Sequence, residues 1–274
     1  MELTIILNSI SYNLEITDPL DISISLEFNG SQPIGWGAPK AKAKTYIQSD
    51  FIADTKRGGS CNVEEYCFIP HCQGTHTECV GHIVNNKITI NNILKNTLIP
   101  ATLITVKPEA AHLTEELYIP DKSPEDFLIT QTSLLSKLKK SNANFLEALI
   151  LRTLPNDTSK KRRNYLQQQP PFFSLNAIEY IVSLGVKHLL VDIPSVDRTF
   201  DQGYLSVHRK FWNIPLGKNE IEGHHFSLNT ITEMIYVPDE IQDSSYLLNL
   251  QVPAFATDAA PSRPFLYKIK PLTS

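Results

Sequence analysis

The segment Pro70–Ile83 concentrates side chains that can bind a metal ion. The whole chain has 8 histidines in 274 residues, yet three of them fall in this short segment. Its histidine and carboxylate residues are His71, His76, Glu78 and His82. Imidazole and carboxylate groups are ligands that zinc and similar divalent ions prefer. Gly74 permits a tight or left-handed turn that can direct these side chains toward one point. The segment therefore predicts a metal site.

The cysteines leave other chemistries open. All 4 cysteines lie between Cys61 and Cys79, with Cys67 and Cys72 between them. They form no C-x-x-C pair, which disfavours a structural zinc ribbon. A thiol enzyme using Cys72 or Cys79 beside a histidine remains an alternative, as does a structural metal site built on the cysteines. A polar loop of hydrogen-bonded histidines is a third alternative.

The same segment resembles a known family motif. The cyclase family of metal-dependent hydrolases, which includes bacterial kynurenine formamidase and isatin hydrolase, carries H-x-G-T-H-x-D-x-P-x-H. Here the G-T-H is Gly74-Thr75-His76, Glu78 stands in place of the Asp, and His82 is the last His. Val80 replaces the Pro. The resemblance extends in patches from about residue 12 to 269, including a tail that is similar to the family's D-G-x-P-x-R turn.

The first ligand of the motif departs from the family pattern. Alignment on G-T-H places Cys72 at the first His, with His71 one residue earlier. Either Cys72 is the ligand or a one-residue bulge lets His71 serve. We favour His71, because imidazole is the expected ligand type.

The resemblance implies two distant ligands, His208 and Glu233. Glu233 begins Glu233-Met234-Ile235, the best match to an E-N-L of the family. It also lies within an apolar run, where an unpaired carboxylate would be costly to bury. The long interval between His208 and Glu233 suggests an insertion at about 212–228, in which His224 and His225 are rival candidates to His208.

The predicted elements place these residues in an α/β fold. Alternating apolar residues predict strands around 12–16 and 22–28, joined at Asp18-Pro19. Apolar runs predict buried strands at 98–106, 145–153 and 186–192. A helix is expected at 175–184 between Ser174 and Gly185, and another is expected to start at 123–126. Strand, helix and strand in this order imply a parallel pair, so the loop after the second strand should face the site. We expect the polar residues of this loop, Asp192, Ser195 and Asp197, to support the site.

The resemblance implies one domain over residues 1–274, with a mixed, partly barrel-like sheet and flanking helices. It also implies a homodimer or a higher oligomer. Trp36 lies in the Gly- and Pro-rich loop 29–39, and Phe28 ends the predicted strand before this loop. Both could line a substrate pocket, although burial of Trp36 in the core is an equal alternative.

The composition and charge of the chain indicate which classes of binding partner to expect. The formal charge of −4 and the isoelectric point of about 6.1 give no reason to expect nucleic acid or an anionic membrane. No apolar run approaches the ~20 residues of a membrane span, and the N-terminus has no basic region typical of a secretory signal. We therefore expect a cytoplasmic protein. The basic run Lys160–Arg163 predicts a solvated loop, or otherwise a lid or a contact to an acidic ligand.

These expectations combine into one functional hypothesis. The metal ligands are His71, His76, Glu78, His82, His208 and Glu233, with zinc favoured, manganese possible, and one or two ions. A metal-activated water would attack an amide-type carbonyl. With one metal, His82 or Glu233 would transfer the proton, whereas in a two-metal site His82 becomes a ligand. The resemblance implies an aryl formamide such as N-formylkynurenine, or a cyclic amide, imide or lactone, as substrate. The competing hypothesis is a non-catalytic binding or scaffold protein on a hydrolase-like fold.

Overall fold

A ten-stranded mixed sheet organises the part of the chain that the structure describes. The structure is a computed structural model that describes residues 2–139, 141–221 and 225–272. The strands are β1 (Glu2–Leu7), β2 (Ile10–Asp21), β3 (Lys42–Thr45), β4 (Ile47–Gln48), β5 (Phe51–Ile52), β6 (Glu64–Cys67), β7 (His76–Glu78), β8 (Leu98–Val106), β9 (Glu109–Ala110), β10 (Phe127–Ile129), β11 (Ala148–Thr153), β12 (Phe172–Phe173), β13 (His188–Val191), β14 (Thr230–Glu233), β15 (Ser244–Asn249), β16 (Ala259–Pro261) and β17 (Phe265–Pro271). The α-helices are α1 (Ile90–Ile93), α2 (Gln131–Leu138), α3 (Leu175–Ser183) and α4 (Ser206–Trp212).

The main sheet has a parallel centre and antiparallel flanks. Its strand order is β1-β2-β17-β15-β8-β11-β13-β14-β7-β16. Strands β8, β11, β13 and β14 are parallel to their neighbours in this group. Their carboxyl ends therefore meet at one edge, where ligand sites of α/β sheets collect. The structure confirms the predicted α/β class with a large mixed sheet.

Both faces of the central strands are buried, which explains their nearly continuous apolar sequence. Along β11, Leu149 and Leu151 contribute to the core that also contains residues of α2, α3 and α4. Ala148 and Ile150 contribute to a second core, shared with β15 and β17. Helices α2, α3 and α4 thus cover one face of the sheet, whereas α1 contributes Ile90 to the core on the other face. Among the described residues, no helix combines the length and hydropathy needed to span a bilayer.

Several predicted elements are confirmed. Strand β8 has the predicted bounds, and β11 pairs in parallel with β13. Helix α3 begins after Ser174, whose side chain accepts a hydrogen bond from the Ala177 amide. It ends before Gly185, which has the positive φ of 77° that favours glycine.

The predicted turn at Asp18-Pro19 is wrong, because β2 continues through both residues. The chain reverses instead at Asn8 and Ser9, which have φ values of 46° and 68°. Side chains Ile22 and Ile24 are buried as predicted, but no strand forms there. The reason is that the Ile24 amide donates to the Thr75 hydroxyl at 2.8 Å rather than to a neighbouring strand.

The predicted helix start at 123–126 is also wrong. These residues form a turn in which the Ser123 amide donates to the Asp126 carboxylate at 2.7 Å. Strand β10 follows directly. Helix α2 starts only after Thr130, whose hydroxyl accepts from the Ser133 amide. The cap-like sequence therefore closes a turn before a strand.

Candidate metal centre

Two short turns and one short strand direct the predicted ligands toward each other. Residues 70–72 form a 3-10 turn that carries His71, and Gly74 has a positive φ of 83°. In β7, His76 and Glu78 share one face because side chains alternate along a strand. A second 3-10 turn at 80–82 brings His82 back toward the same point.

Strand β7 lies between β14 and β16, which deliver two more carboxylates. Glu233 is directly opposite His76 in the antiparallel register with β14. Asp258 immediately precedes β16, and its carbonyl accepts a hydrogen bond from the Cys79 amide at 3.1 Å. The opposite face of β7 is fixed by Thr77, whose hydroxyl lies 2.8 Å from that of Thr232.

The Glu78 carboxylate lies at the centre of the cluster. Its Oε2 is 2.9 Å from Nδ1 of His71, and its Oε1 is 2.9 Å from Nε2 of His208. Burial alone would raise the pKa of Glu78, but the neighbouring His82, His208 and His71 hold it well below its ordinary value. Glu78 is thus an ionised carboxylate shared by ligands from distant parts of the chain.

His76 has a buried nitrogen that finds no hydrogen-bond partner among the residues that the structure describes. Its Nδ1 lies 3.1 Å from the Gly74 carbonyl, to which it can only donate, so in the neutral ring Nε2 carries the lone pair. Nε2 is buried and unpaired, and it faces Glu233 Oε2 at 3.5 Å. A lone pair and a carboxylate facing each other repel unless a proton or a metal ion lies between them. This arrangement fits a divalent metal ion.

His208 is oriented by the loop that follows β13. The Asp197 carboxylate lies 2.6 Å from Nδ1 of His208, and it also accepts the amides of Val207 and His208 at the start of α4. Nε2 of His208 therefore points to Glu78 and, at 3.7 Å, to Glu233. Burial alone would lower the pKa of His208, but Asp197 and Glu78 raise it well above its ordinary value. A metal-binding histidine commonly binds the metal with one ring nitrogen and donates a hydrogen bond to a carboxylate with the other. Asp197 is placed to be that carboxylate for His208.

Asp258 is a residue of the cluster that the sequence reasoning did not include. Its Oδ2 lies 2.9 Å from Nε2 of His71 and 3.4 Å from Nδ1 of His82. The two rings stack with centroids 4.2 Å apart. Hydrogen bonds with these histidines hold the pKa of Asp258 below its ordinary value. The tail similar to D-G-x-P-x-R, which begins at this Asp, was the signal that could have identified it.

Three overlapping triads of these residues could each hold a metal ion, because their ligand atoms lie within 4.8 Å of one another. The triads are His71-His76-Glu78, His71-His82-Asp258 and Glu78-His82-His208. With Glu233, the structure brings all six predicted ligand residues to one place. The site is open to solvent on one side, where the triad His71-His82-Asp258 lies. The side chains of these three residues are 23%, 27% and 38% exposed.

The rival ligands are placed differently. Cys72 belongs to none of the triads found among the described residues. His225 is exposed, and its carbonyl accepts from the Asn213 side chain. His224 lies outside the described residues. The structure therefore places His71 and His208, rather than Cys72 and His225, among the other candidate ligands.

The cysteines near the site are poorly suited to nucleophilic catalysis. Burial raises the pKa of the Cys79 thiol to about 11. Burial, with a smaller contribution from the charge of Glu233, also raises the pKa of Cys72. Reactive cysteines have lowered pKa values, because the thiolate is the nucleophile.

The Gly- and Pro-rich loop before β3 contacts the metal-ligand segment. The Gly35 amide donates to the Cys72 carbonyl at 2.9 Å, and the neighbouring Trp36 is 39% exposed, which excludes a fully buried Trp. Phe28 packs instead against Tyr66 and Phe68, with ring centroids at 4.6 and 5.9 Å.

Comparisons with known proteins identify the family and the fold. The family profile described as "Putative cyclase" matches residues 14–198, more than half of the chain. No curated protein matches the chain significantly. The fold is similar to a solved structure described as a predicted metal-dependent hydrolase from Bacillus stearothermophilus, at 15% identity, a TM-score of 0.59, and coverage of 91% of this chain and 98% of that one.

Two isatin hydrolases have a similar fold. One, bound to the product analogue thioisatinate, is 14% identical with a TM-score of 0.60, over 92% of this chain and 93% of that one. The other, isatin hydrolase A from Ralstonia solanacearum, is 14% identical with a TM-score of 0.61, over 91% of each chain. At such identities the likeness shows a shared fold. Together with the matched residues of the family profile, it shows that the chain belongs to the Cyclase family.

Proposed function

We propose that this protein is a metal-dependent hydrolase that cleaves an amide-type C–N bond. The observation that carries the proposal is the buried Nε2 of His76, which faces the Glu233 carboxylate and has no hydrogen-bond partner within the described part of the chain. A metal ion between these two groups would satisfy both of them, and the surrounding imidazoles and carboxylates are the ligand types of a zinc site. Zinc is the proposed metal, with manganese as the alternative and one or two ions per chain.

The arrangement of the site supports hydrolysis. A divalent ion held by these residues would supply a Lewis acid and lower the pKa of a bound water to about 7. His76, Glu78, His208 and Glu233 lie on the buried side, whereas His71 and His82 lie on the side open to solvent. A substrate carbonyl can therefore approach from the side of His82.

Proton transfer is the second requirement of amide hydrolysis, since the amine must leave as a neutral group. His82 is partly exposed, and the Asp258 carboxylate lies 3.4 Å from its Nδ1. An imidazole in this position can take the proton of the attacking water and return it to the leaving nitrogen. Glu233 accepts the Val196 amide at 2.8 Å and is buried, which suits a ligand better than a proton carrier. We therefore propose His82 for proton transfer.

The substrate class that we propose is an aryl formamide, such as N-formylkynurenine, or a cyclic amide or lactone. Two observations support a hydrolysable carbonyl compound: the open side of the site, and the fold shared with isatin hydrolases. A homodimer is part of the same proposal and rests on the family resemblance, and a cytoplasmic location is proposed with it.

Treating the purified protein with a chelator or with iodoacetamide distinguishes a metal-dependent hydrolase from a thiol enzyme, a structural metal site and a binding protein. N-formylkynurenine, isatin and a simple aryl lactone are offered, and hydrolysis is followed by absorbance. We expect a chelator to abolish turnover while far-UV circular dichroism stays unchanged, and iodoacetamide to leave turnover intact. Inhibition by iodoacetamide but not by the chelator would support a thiol enzyme. Unfolding by the chelator would support a structural metal, and no turnover by metal-loaded protein would favour a binding protein.

A further inference from the structure

A second cleft lies at the carboxyl ends of the parallel strands β8, β11 and β13. Its volume is about 350 Å³, and none of the candidate metal ligands lines it. Lys107 follows β8, Thr153 ends β11, and Asp192 follows β13, and all three border the cleft. This edge is the usual place for ligands in sheets of this type.

The walls of the cleft are largely apolar and rigid. Phe127 and Leu154 line it although 52% and 42% of their surfaces are exposed. Tyr165 is a buried lining residue, and four prolines restrict the surrounding backbone. The prolines are Pro108, Pro155, Pro170 and Pro171. An exposed aromatic and an exposed leucine facing a preformed cleft favour a ligand with a flat apolar part.

The cleft also has an excess of positive charge. Lys107, Lys160 and Arg163 line it, against one acid, Asp192. The Lys160 ammonium lies 2.7 Å from the Asp192 carboxylate, and both side chains are buried, so this pair neutralises itself. Within the described residues, no salt bridge joins a carboxylate to Lys107 or Arg163, and Asp157 acts on Arg163 only through a longer-range charge interaction. These two residues therefore retain positive charge that can pair with an anion.

Arg163 is held in place but incompletely hydrogen-bonded. Its carbonyl accepts the Ile34 amide at 2.9 Å, and Nη2 donates to the Ser159 hydroxyl at 2.7 Å. Its Nε is buried and has no hydrogen-bond partner among the described residues. A buried N–H without an acceptor is unfavourable, and a carboxylate is the acceptor whose geometry matches the guanidinium.

We propose that this cleft binds a small aromatic carboxylate. The ring would lie against Phe127 and Leu154, and the carboxylate would accept hydrogen bonds from Arg163 with Lys107 nearby. The apolar walls favour an aromatic acid over inorganic phosphate, which would leave them exposed. The proposal does not depend on the metal centre, because the two sites share no side chain.

Benzoate is the probe for this site. The full-length protein is titrated with benzoate, benzamide and inorganic phosphate by isothermal titration calorimetry. We expect saturable benzoate binding, with benzamide and phosphate at least about tenfold weaker, because only benzoate combines the ring with the charge. Equal affinity for benzamide, or tighter binding of phosphate, would overturn the assignment of the ligand class.

Variants locate the binding. We expect Arg163→Gln to weaken benzoate binding at least about tenfold, whereas Arg162→Gln, at the adjacent exposed position outside the cleft, should leave it unchanged. Lys107→Gln, at an exposed position, provides a second test if Arg163→Gln does not fold. We also expect His76→Ala to bind benzoate as wild type does. Loss of benzoate binding in this variant would show that benzoate binds at the metal centre instead of the cleft. Binding unaffected by both cleft variants would contradict the proposal.

Discussion

The Asp258 carboxylate lies 2.9 Å from Nε2 of His71, although 187 residues separate them along the chain. The other nitrogen of the ring faces Glu78 at 2.9 Å. Burial alone would lower the pKa of His71, but these two carboxylates raise it to about 10. Asp258 thus fixes the ring of a histidine that stands one residue before its place in the family motif. This contact gives a physical reason why His71 can serve although the motif is shifted.

We expect Asp258→Asn to weaken metal binding about 10- to 100-fold, since a residue that orients a metal-binding histidine has effects of this size. Asn keeps the shape of the side chain but removes its charge. The measurement is zinc affinity by competition with a chromogenic chelator, and the matched control is Asp50→Asn at an exposed position. Equal affinities for both variants would show that Asp258 does not orient a ligand.

The contact between Asp197 and His208 leads to a second prediction. Asp197→Asn should lower zinc affinity about tenfold or more, because the carboxylate orients the imidazole and stabilises its Nδ1–H. Tyr118→Phe is the control, since it removes one hydrogen bond to the same carboxylate and leaves its charge. Because the Tyr118 hydroxyl also accepts the Arg198 amide at 2.9 Å, we expect Tyr118→Phe to cost about 1–3 kcal/mol of stability and to leave zinc affinity nearly unchanged. A large loss of affinity in Tyr118→Phe alone would contradict this account.

His188 makes the stability depend on pH. Burial lowers its pKa from 6.5 to about 4, because the charged form is disfavoured in the folded protein. The unfolded chain therefore binds the additional proton between these values, and stability falls as the pH decreases from 6.5 to 4. The contribution is at most about 3 kcal/mol.

Urea unfolding of wild type and His188→Gln at several pH values checks this prediction. The loss of stability between pH 7 and 4 should be smaller in His188→Gln, while His112→Gln at an exposed position should follow the wild type. Parallel curves for wild type and His188→Gln would show that His188 titrates normally.

The buried pair of Lys160 and Asp192 yields a prediction for stability. Lys160→Met removes the ammonium and leaves the Asp192 carboxylate buried, where, of the described residues, only Thr153 still donates hydrogen bonds to it. We expect a loss of about 3 kcal/mol or more in the free energy of unfolding. Arg162→Met, at an exposed position of the same basic run, should change stability by less than about 0.5 kcal/mol. Similar effects of the two changes would contradict the structural role of Lys160.

The parts of the fold that could be predicted carry local signals. The apolar run of β8 and the cap and stop of α3 depend on neighbouring residues, and both elements are where the sequence placed them. The turn at 123–126 carries the same cap chemistry as a helix start, but the strand that follows it is set by pairing with distant segments. Propensity alone cannot separate these outcomes.

In the candidate site, too, some residues carry a local sequence signal and others depend on contacts between distant segments. The segment around His76 and Glu78 has a local pattern, and Glu233 could be inferred because a carboxylate in an apolar strand needs a partner. Asp258 was missed because its role depends on the placement of β16 beside β7; the D-G-x-P-x-R-like tail marks the residue but does not show which histidines it contacts. The burial of Lys160 contradicts the predicted solvated run for the same reason, since its partner Asp192 lies 32 residues away.

The most direct test of the central claim is the metal content of the extensively dialysed protein, measured by elemental mass spectrometry. Wild type is compared with His76→Ala and with His112→Ala, whose histidine is exposed and remote from the cluster. We predict about one to two equivalents of zinc or manganese in wild type and His112→Ala, and a loss of metal in His76→Ala. Less than about a tenth of an equivalent in wild type, even after metal is added back, would contradict a metal-dependent hydrolase.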